Sequence, residues 1–127
     1  MYSWCDGKEF EVSDMLGKTF AEVEKHGLDE IKFTADNGDV YAFYHYQDCC
    51  ESVVVKDIVG DLDDLVGAPL LEAEVTTDSG NDGFDSYTWT FYKFGTIKGH
   101  VNISWHGESN GYYSESVDHA FIPAEAA

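Results

Sequence analysis

The sequence predicts an α+β fold, mostly antiparallel β, in one domain over residues 1–127. Two internally related halves, about 14–58 and 64–121, build it, with short helical turns at 13–17 and 60–67. Three observations predict this. Short runs rich in Tyr, Phe, Trp, Val and Thr alternate in polarity and are punctuated by Gly, Asn and Asp, as strands and their turns are. Asp14 to Glu24 aligns without gaps on Asp64 to Glu74, and self-similarity is sought first because missing it misassigns a whole chain. The third is a matched pair of turns, His45-Tyr46-Gln47-Asp48-Cys49-Cys50-Glu51-Ser52-Val53 and His106-Gly107-Glu108-Ser109-Asn110-Gly111-Tyr112-Tyr113-Ser114-Glu115-Ser116-Val117. Each follows an aromatic-rich strand, opens with a histidine behind an aromatic residue and ends on Glu-Ser-Val. Two copies are too few for a solenoid, so one domain of paired halves is the reading.

The first helical turn is expected to start at a Ser13 cap and stop at Gly17, which tolerates the left-handed conformation. Lys18 to His26 alternates imperfectly, but its duplicate around Leu71-Glu72-Ala73-Glu74-Val75-Thr76-Thr77 is plainly strand-like, so both copies are read as strands. Leu28–Phe33 and Val40–Tyr46 flank Asn37-Gly38, a hairpin signal. Period two places Tyr41, Phe43 and His45 on one face and Val40, Ala42, Tyr44 and Tyr46 on the other. Ser52 to Ile58 is another strand. Gly60 to Gly67 is a capped turn with Leu62, Leu65 and Val66 inward, its aspartates complementing the turn's dipole. Asp78 to Asp85 reads as a flexible acidic hairpin connection, because its spacing misses the calcium-loop pattern. Ser86 to Phe94 sets Tyr87, Trp89 and Phe91 against Thr88, Thr90 and Tyr92, and a turn at 95–99 leads into His100 to His106. Ser116 to Ile122 completes the fold.

The charge excludes several classes. Twenty-five acidic residues face seven lysines, with no arginine, for a net charge of −18. Such a surface repels nucleic acid and anionic membrane and favours a basic partner. A folded chain of 14.2 kDa exposes roughly 6,800 Å², or one net charge per ~380 Å². B-DNA carries one charge per ~1.7 Å of axis, roughly one per ~110 Å² of its cylinder. A literal nucleic-acid mimic therefore needs its carboxylates gathered on about a third of the surface. Two acidic groups are the candidates: Asp57, Asp61, Asp63 and Asp64 around one turn, and Asp78, Asp82 and Asp85 along another segment. Tyr112 and Tyr113 add paired aromatics suited to a protein interface. No apolar run approaches the length of a membrane span, and the first residues lack the features of a signal peptide. A cytoplasmic location is expected, consistent with an odd count of three cysteines, two of them adjacent.

The motifs His-x-x-x-Cys-Cys-Glu-Ser-Val at 45–53, Gly-Asp-Leu-x-Asp-Leu-x-Gly at 60–67 and Trp-x-Gly-Glu-Ser-Asn-Gly-Tyr-Tyr-Ser-Glu-Ser-Val at 105–117 carry a resemblance. The chain resembles a family of small uncharacterised proteins carried by phages and prophages, over about residues 14–121. The resemblance implies a phage or mobile-element setting and paired β-rich halves; it implies no activity.

For chemistry, the two histidine turns offer His45, Glu51, His106 and Glu115 as a candidate zinc or transition-metal set. Cys49 or Cys50 with His45 is a candidate thiolate pair. A plainer role has both glutamates accepting backbone N–H bonds to anchor the strands that follow. No Cys-x-x-Cys spacing and no Gly-rich phosphate loop appear. The expectation is a binding protein without a resident cofactor, an inhibitor or decoy of anti-CRISPR or anti-restriction type. It is expected to act on a basic host protein that handles nucleic acid, making no contact with nucleic acid or membrane itself. The alternative is a metal- or thiol-dependent enzyme centred on the two histidine turns.

Overall fold

The computed structural model describes residues 8–45, 51–81, 86–109 and 115–124. Eight strands are laid down in order: β1 Phe20–His26, β2 Glu30–Ala35, β3 Val40–Tyr44, β4 Ser52–Val59, β5 Glu72–Asn81, β6 Ser86–Thr96, β7 Gly99–Ser109 and β8 Asp118–Ile122. They pair antiparallel into two four-stranded sheets, β1-β2-β3-β8 and β4-β7-β6-β5. No α-helix occurs among the described residues; their helical structure is limited to 3-10 turns, including Val12–Met15 and Leu62–Leu65. The α component expected from the sequence is therefore absent there, and the fold is antiparallel β. Each turn spans only four residues before an extended residue, Leu16 or Val66, ends it.

Each sheet is a three-strand meander completed by a strand from the other half. β4 leaves the first half to pair with β7, and β8 leaves the second to pair with β3. The junction between halves is reciprocal. Gly17 N donates to Leu70 O at 2.8 Å, and Gly67 N donates to Phe20 O at 2.9 Å. Gly17 and Gly67 share nearly the same positive φ, 80° and 81°.

The two sheets meet face to face on aromatic contacts, with Phe33 on Phe94 at 5.0 Å and Phe43 on Tyr92 at 4.9 Å between ring centroids. Phe20, Ile31, Phe33, Val101, Ile103 and Trp105 are fully buried there, and Met15, Leu65 and Leu70 close the core. Removing this apolar area from water at ~25 cal/mol per Å² is the main stabilising term. Val40 and Ala42 point the other way and bury with Ala120 and Ile122 in a second, small cluster, as period two requires.

Local details depart from expectation in instructive ways. β1 alternates imperfectly because a bulge between Phe20 and Glu22 shifts its register. The first turn begins before Ser13, with Glu11 N donating to Asp14 Oδ2 at 3.0 Å. The second turn is capped as expected, by Asp61 Oδ1 accepting from Asp63 N at 3.0 Å. Lys98 Nζ closes its far end by donating to Val66 O at 2.7 Å. Asp78 to Asn81, expected in a loop, continues β5, because β6 supplies partners from Ser86 onward. The side chain of Tyr87 lies over Gly80, where a Cβ would come within 2.5 Å of its hydroxyl. Ser79 and Thr88 share a hydroxyl–hydroxyl bond at 3.0 Å.

Candidate functional site

The two Glu-Ser-Val segments are built differently from expectation. His45 follows β3 and Glu51 immediately precedes β4, and their side chains meet at 2.9 Å between Nε2 and Oε2. These side chains are only 3% and 0% exposed. His45 Nδ1 donates to Ser116 O at 2.8 Å, so the pair ties the first turn to the second Glu-Ser-Val. Both ring nitrogens face oxygen, and the arrangement is satisfied when a proton lies in each contact. Asp118 Oδ2 stands 3.9 Å from Nδ1.

Glu115 sits on the inner face of the second sheet, accepting from the hydroxyls of Ser86, Thr88 (2.9 Å) and Ser109 (2.5 Å). Hydroxyls, rather than the expected backbone amides, are its partners here. Burial pushes its pKa up, but the bonds from Ser109, Ser86 and Thr88 outweigh that, with His106 nearby, and the net shift is downward. Its backbone crosses Gly107, where a Cβ would stand 2.5 Å from Glu115 O.

His106 takes the opposite face. Trp105 and Gly107 are buried on either side of it, and its ring lies 4.4 Å from that of Trp89 with the planes tilted by 59°. His45, Glu51, His106 and Glu115 therefore do not converge into one ligand set. Among the described residues no three His, Cys, Asp or Glu side chains come together as a metal site. Asp48, Cys49 and Cys50, and with them the thiolate pair, lie outside the described residues, as do Asp82, Asp85, Tyr112 and Tyr113.

The described acidic candidates divide. Asp57 on β4 and Asp78 on β5 belong to the solvent face of the second sheet, while Asp61, Asp63 and Asp64 sit at the end of that sheet. There Asp64 lies over Gly99 and Thr96 Oγ1 donates to Asp64 O. Seven residues of β6 separate Trp89, opposite Asp78, from Thr96, roughly 23 Å at ~3.3 Å per residue.

The sequence reading missed what lies between. On β6, Thr90, Tyr92 and Phe94 are buried, so Tyr87, Trp89 and Phe91 face solvent, with Phe91 40% exposed. Trp89 and Phe91 lie 5.9 Å apart with planes within 5°, and Tyr87 stacks on His106 at 6.2 Å. Register sets Asp78, Trp89, His106 and Val54 in one cross-strand row, and Thr76, Phe91, Ser104 and Asp57 in the next. Glu74, Lys93, Asn102 and Val59 make the third. A shallow concavity of about 270 Å³ opens beside Phe91, lined also by Glu74, Lys93, Asn102 and Ser104. The signal was in the sequence: both faces of Ser86–Phe94 carry aromatics, and one sheet face cannot bury both sets.

A second arrangement the sequence did not reveal is His119, half-buried against Phe10 and Phe43. Its Nδ1 contacts Phe10 O at 3.3 Å and its Nε2 accepts from Tyr92 Oη at 2.7 Å. Burial lowers its pKa, against the upward pull of the Phe10 carbonyl and nearby carboxylates. Burial and Asp118 push the Tyr92 hydroxyl far up, keeping it a donor. A depressed histidine pKa favours the neutral folded form, so stability is full above the unfolded value of ~6.5 and declines as pH falls through the lower folded value. Glu115 adds a further loss below its own unfolded value of 4.5. The urea midpoint is expected to drop between pH 7.5 and 5.5, and His119→Gln to flatten that drop; an unchanged slope in the variant would assign it elsewhere.

Residues 13–119 match the model of a domain of unknown function, DUF7448. The chain belongs to the DUF7448 family. No curated protein and no solved structure matches it. The match spans both Glu-Ser-Val turns and the whole second sheet, so the solvent face of this DUF7448 chain lies within the family's own domain. Among the described residues, no helix is long and apolar enough to cross a membrane.

Proposed function

We propose that the protein is an acidic binder of phage or mobile-element origin. In the host cytoplasm it engages and inhibits a basic host protein that handles nucleic acid. The observation that carries this reading is the solvent face of the second sheet, where the aromatic row of β6, with Phe91 exposed, lies beside the acidic strand β5. Solvent faces of antiparallel sheets are ordinarily polar, and aromatics exposed among like charges suit a partner that supplies the opposite charge. Asp61, Asp63 and Asp64 at the sheet end extend the negative field that steers such a partner. With 7159 Å² of accessible surface for 18 net charges, even spreading is far sparser than DNA. Mimicry in this reading is electrostatic and local.

The test is association kinetics with the target identified by pull-down from host lysate. Asp61→Asn, Asp63→Asn and Asp64→Asn together are expected to slow association several-fold, with a smaller effect on dissociation, and to weaken its salt dependence. Asn preserves the cap at position 61, so the fold is retained. A nucleic-acid competitor should displace the protein. Binding indifferent to salt between low and physiological ionic strength would remove this reading.

The same reading includes an internal duplication. Its supports are the exchanged fourth strands and the reciprocal Gly17–Leu70 and Gly67–Phe20 bonds, in which Gly17 and Gly67, and Phe20 and Leu70, are equivalents in the ungapped alignment. Superposing residues 14–58 on 64–121 is the check, and strands that fail to coincide would exclude it.

A further inference from the structure

We infer that the solvent face of the β4-β7-β6-β5 sheet is a docking site for an extended, arginine-bearing segment of a protein partner. One guanidinium stacks on the Trp89–Phe91 pair and is held by the carboxylates of Glu74 and Asp78. The inference rests on the binding reading above and specifies its partner.

Several features of the face point to this occupant. Phe91 is the most exposed ring of the row, and its neighbour Trp89 is parallel to it within 5°. A planar cation stacks on such rings through their quadrupole, and arginine does so with a flat, weakly hydrated group where lysine offers a compact, strongly hydrated one. The carboxylates are in place. Asp78 is directly opposite Trp89, and Glu74 lies one row along, diagonal to Phe91, within the ~7–8 Å that long side chains span across a sheet. Glu74, Asp78 and Asp57 are exposed and have no cation partner among the described residues. The cation of the central strands, Lys93, is engaged with Glu72 at 3.5 Å, while Lys56 sits in the β4 bulge beside Asp57.

The concavity beside Phe91 gives the side chain a seat, with Asn102 and Ser104 as polar lining. A second copy of the chain is disfavoured as occupant, because it would bring Glu74 and Asp78 against an equally acidic surface. A neutral glycan would also stack on flat rings, but it would leave these carboxylates without a charge partner.

The experiment uses the full chain and three probes of equal length: an arginine–serine peptide, its lysine counterpart and a neutral oligosaccharide. Binding is followed by amide and indole NMR shifts and by titration. The arginine peptide is expected to bind at least about tenfold more tightly than the lysine peptide, with shifts centred on Trp89, Phe91, Glu74 and Asp78. Phe91→Ala and, separately, Glu74→Gln with Asp78→Asn should each weaken it about tenfold, the second also reducing its salt dependence. Asp61→Asn, Asp63→Asn and Asp64→Asn together should leave the arginine preference intact. Equal affinity for both peptides, or arginine binding untouched by Phe91→Ala, would overturn the site, as would shifts produced at this face by the oligosaccharide alone. The wild-type probe series needs no variant to fold. If the arginine peptide binds here but the chain inhibits no nucleic-acid-handling protein, the functional reading fails and this site stands. If inhibition survives Phe91→Ala together with Glu74→Gln and Asp78→Asn, this site fails and the functional reading stands.

Discussion

Glu51→Ala is expected to destabilise the protein by about 3–5 kcal/mol, the range for removing one partner of a buried charge-bearing pair. The side chain has no exposed area and meets His45 at 2.9 Å. Truncation leaves an imidazole facing a small void, still bound through Nδ1 to Ser116 O. Glu51→Gln should cost less, about 1–3 kcal/mol, because the amide retains a polar contact with the ring. Urea denaturation of Glu51→Ala, His45→Ala and the double variant measures the coupling, and the double should cost clearly less than the two singles combined. Additive losses would mean that the two side chains act independently and that the first turn is not tied to the second through them. The binding face should be unaffected in whatever fraction remains folded, since neither residue reaches it.

The second large effect is expected at Gly107. A Cβ there would approach Glu115 O to 2.5 Å and Glu115 Cβ to 2.9 Å, and the first of these is backbone that cannot swing aside. Gly107→Ala must push the 115–117 segment off β7, pulling Glu115 from Ser109 and Thr88 and Ser116 O from His45. Overpacking of this kind costs about 1–3 kcal/mol, and loss of the bonds beneath should carry the total to the top of that range. Gly99→Ala is the informative contrast. Its Cβ would meet the Asp64 carboxylate at 2.8 Å, a side-chain end that can move, so a much smaller loss is expected. Equal midpoint shifts for the two variants would show that the crossing at Gly107 is not tight.

Much of the framework was legible in the residues. Period-two alternation located β3 and β6, because one-sided burial writes itself directly into a strand, and strand-like runs beside turn residues located β2, β4 and β7. Asn37-Gly38 marked its hairpin, Gly60 to Gly67 its capped turn, and the ungapped match of 14–24 on 64–74 made a strand of a segment that looked helical. The strand carrying Asp78 was misread because Asp, Ser, Gly and Asn favour turns locally, whereas an aromatic neighbour over Gly80 and a full ladder to β6 outweigh that preference.

Composition and pattern by themselves determined that this is an acidic, aromatic-rich β protein with two matched turns. Only the tertiary structure decided what those turns are for. Side-chain direction follows from a strand's own alternation, but which direction is inside depends on the sheet that packs against it. His106 and Glu115 look like partners in the sequence and stand on opposite faces of one sheet, because Trp105 and Gly107 take the core. Glu51 found His45 only once β4 had crossed to β7. The row of Tyr87, Trp89 and Phe91 became a surface because Tyr92 and Phe94 were claimed by Phe33 and Phe43 from the other sheet, pairings between residues dozens of positions apart that no local pattern encodes.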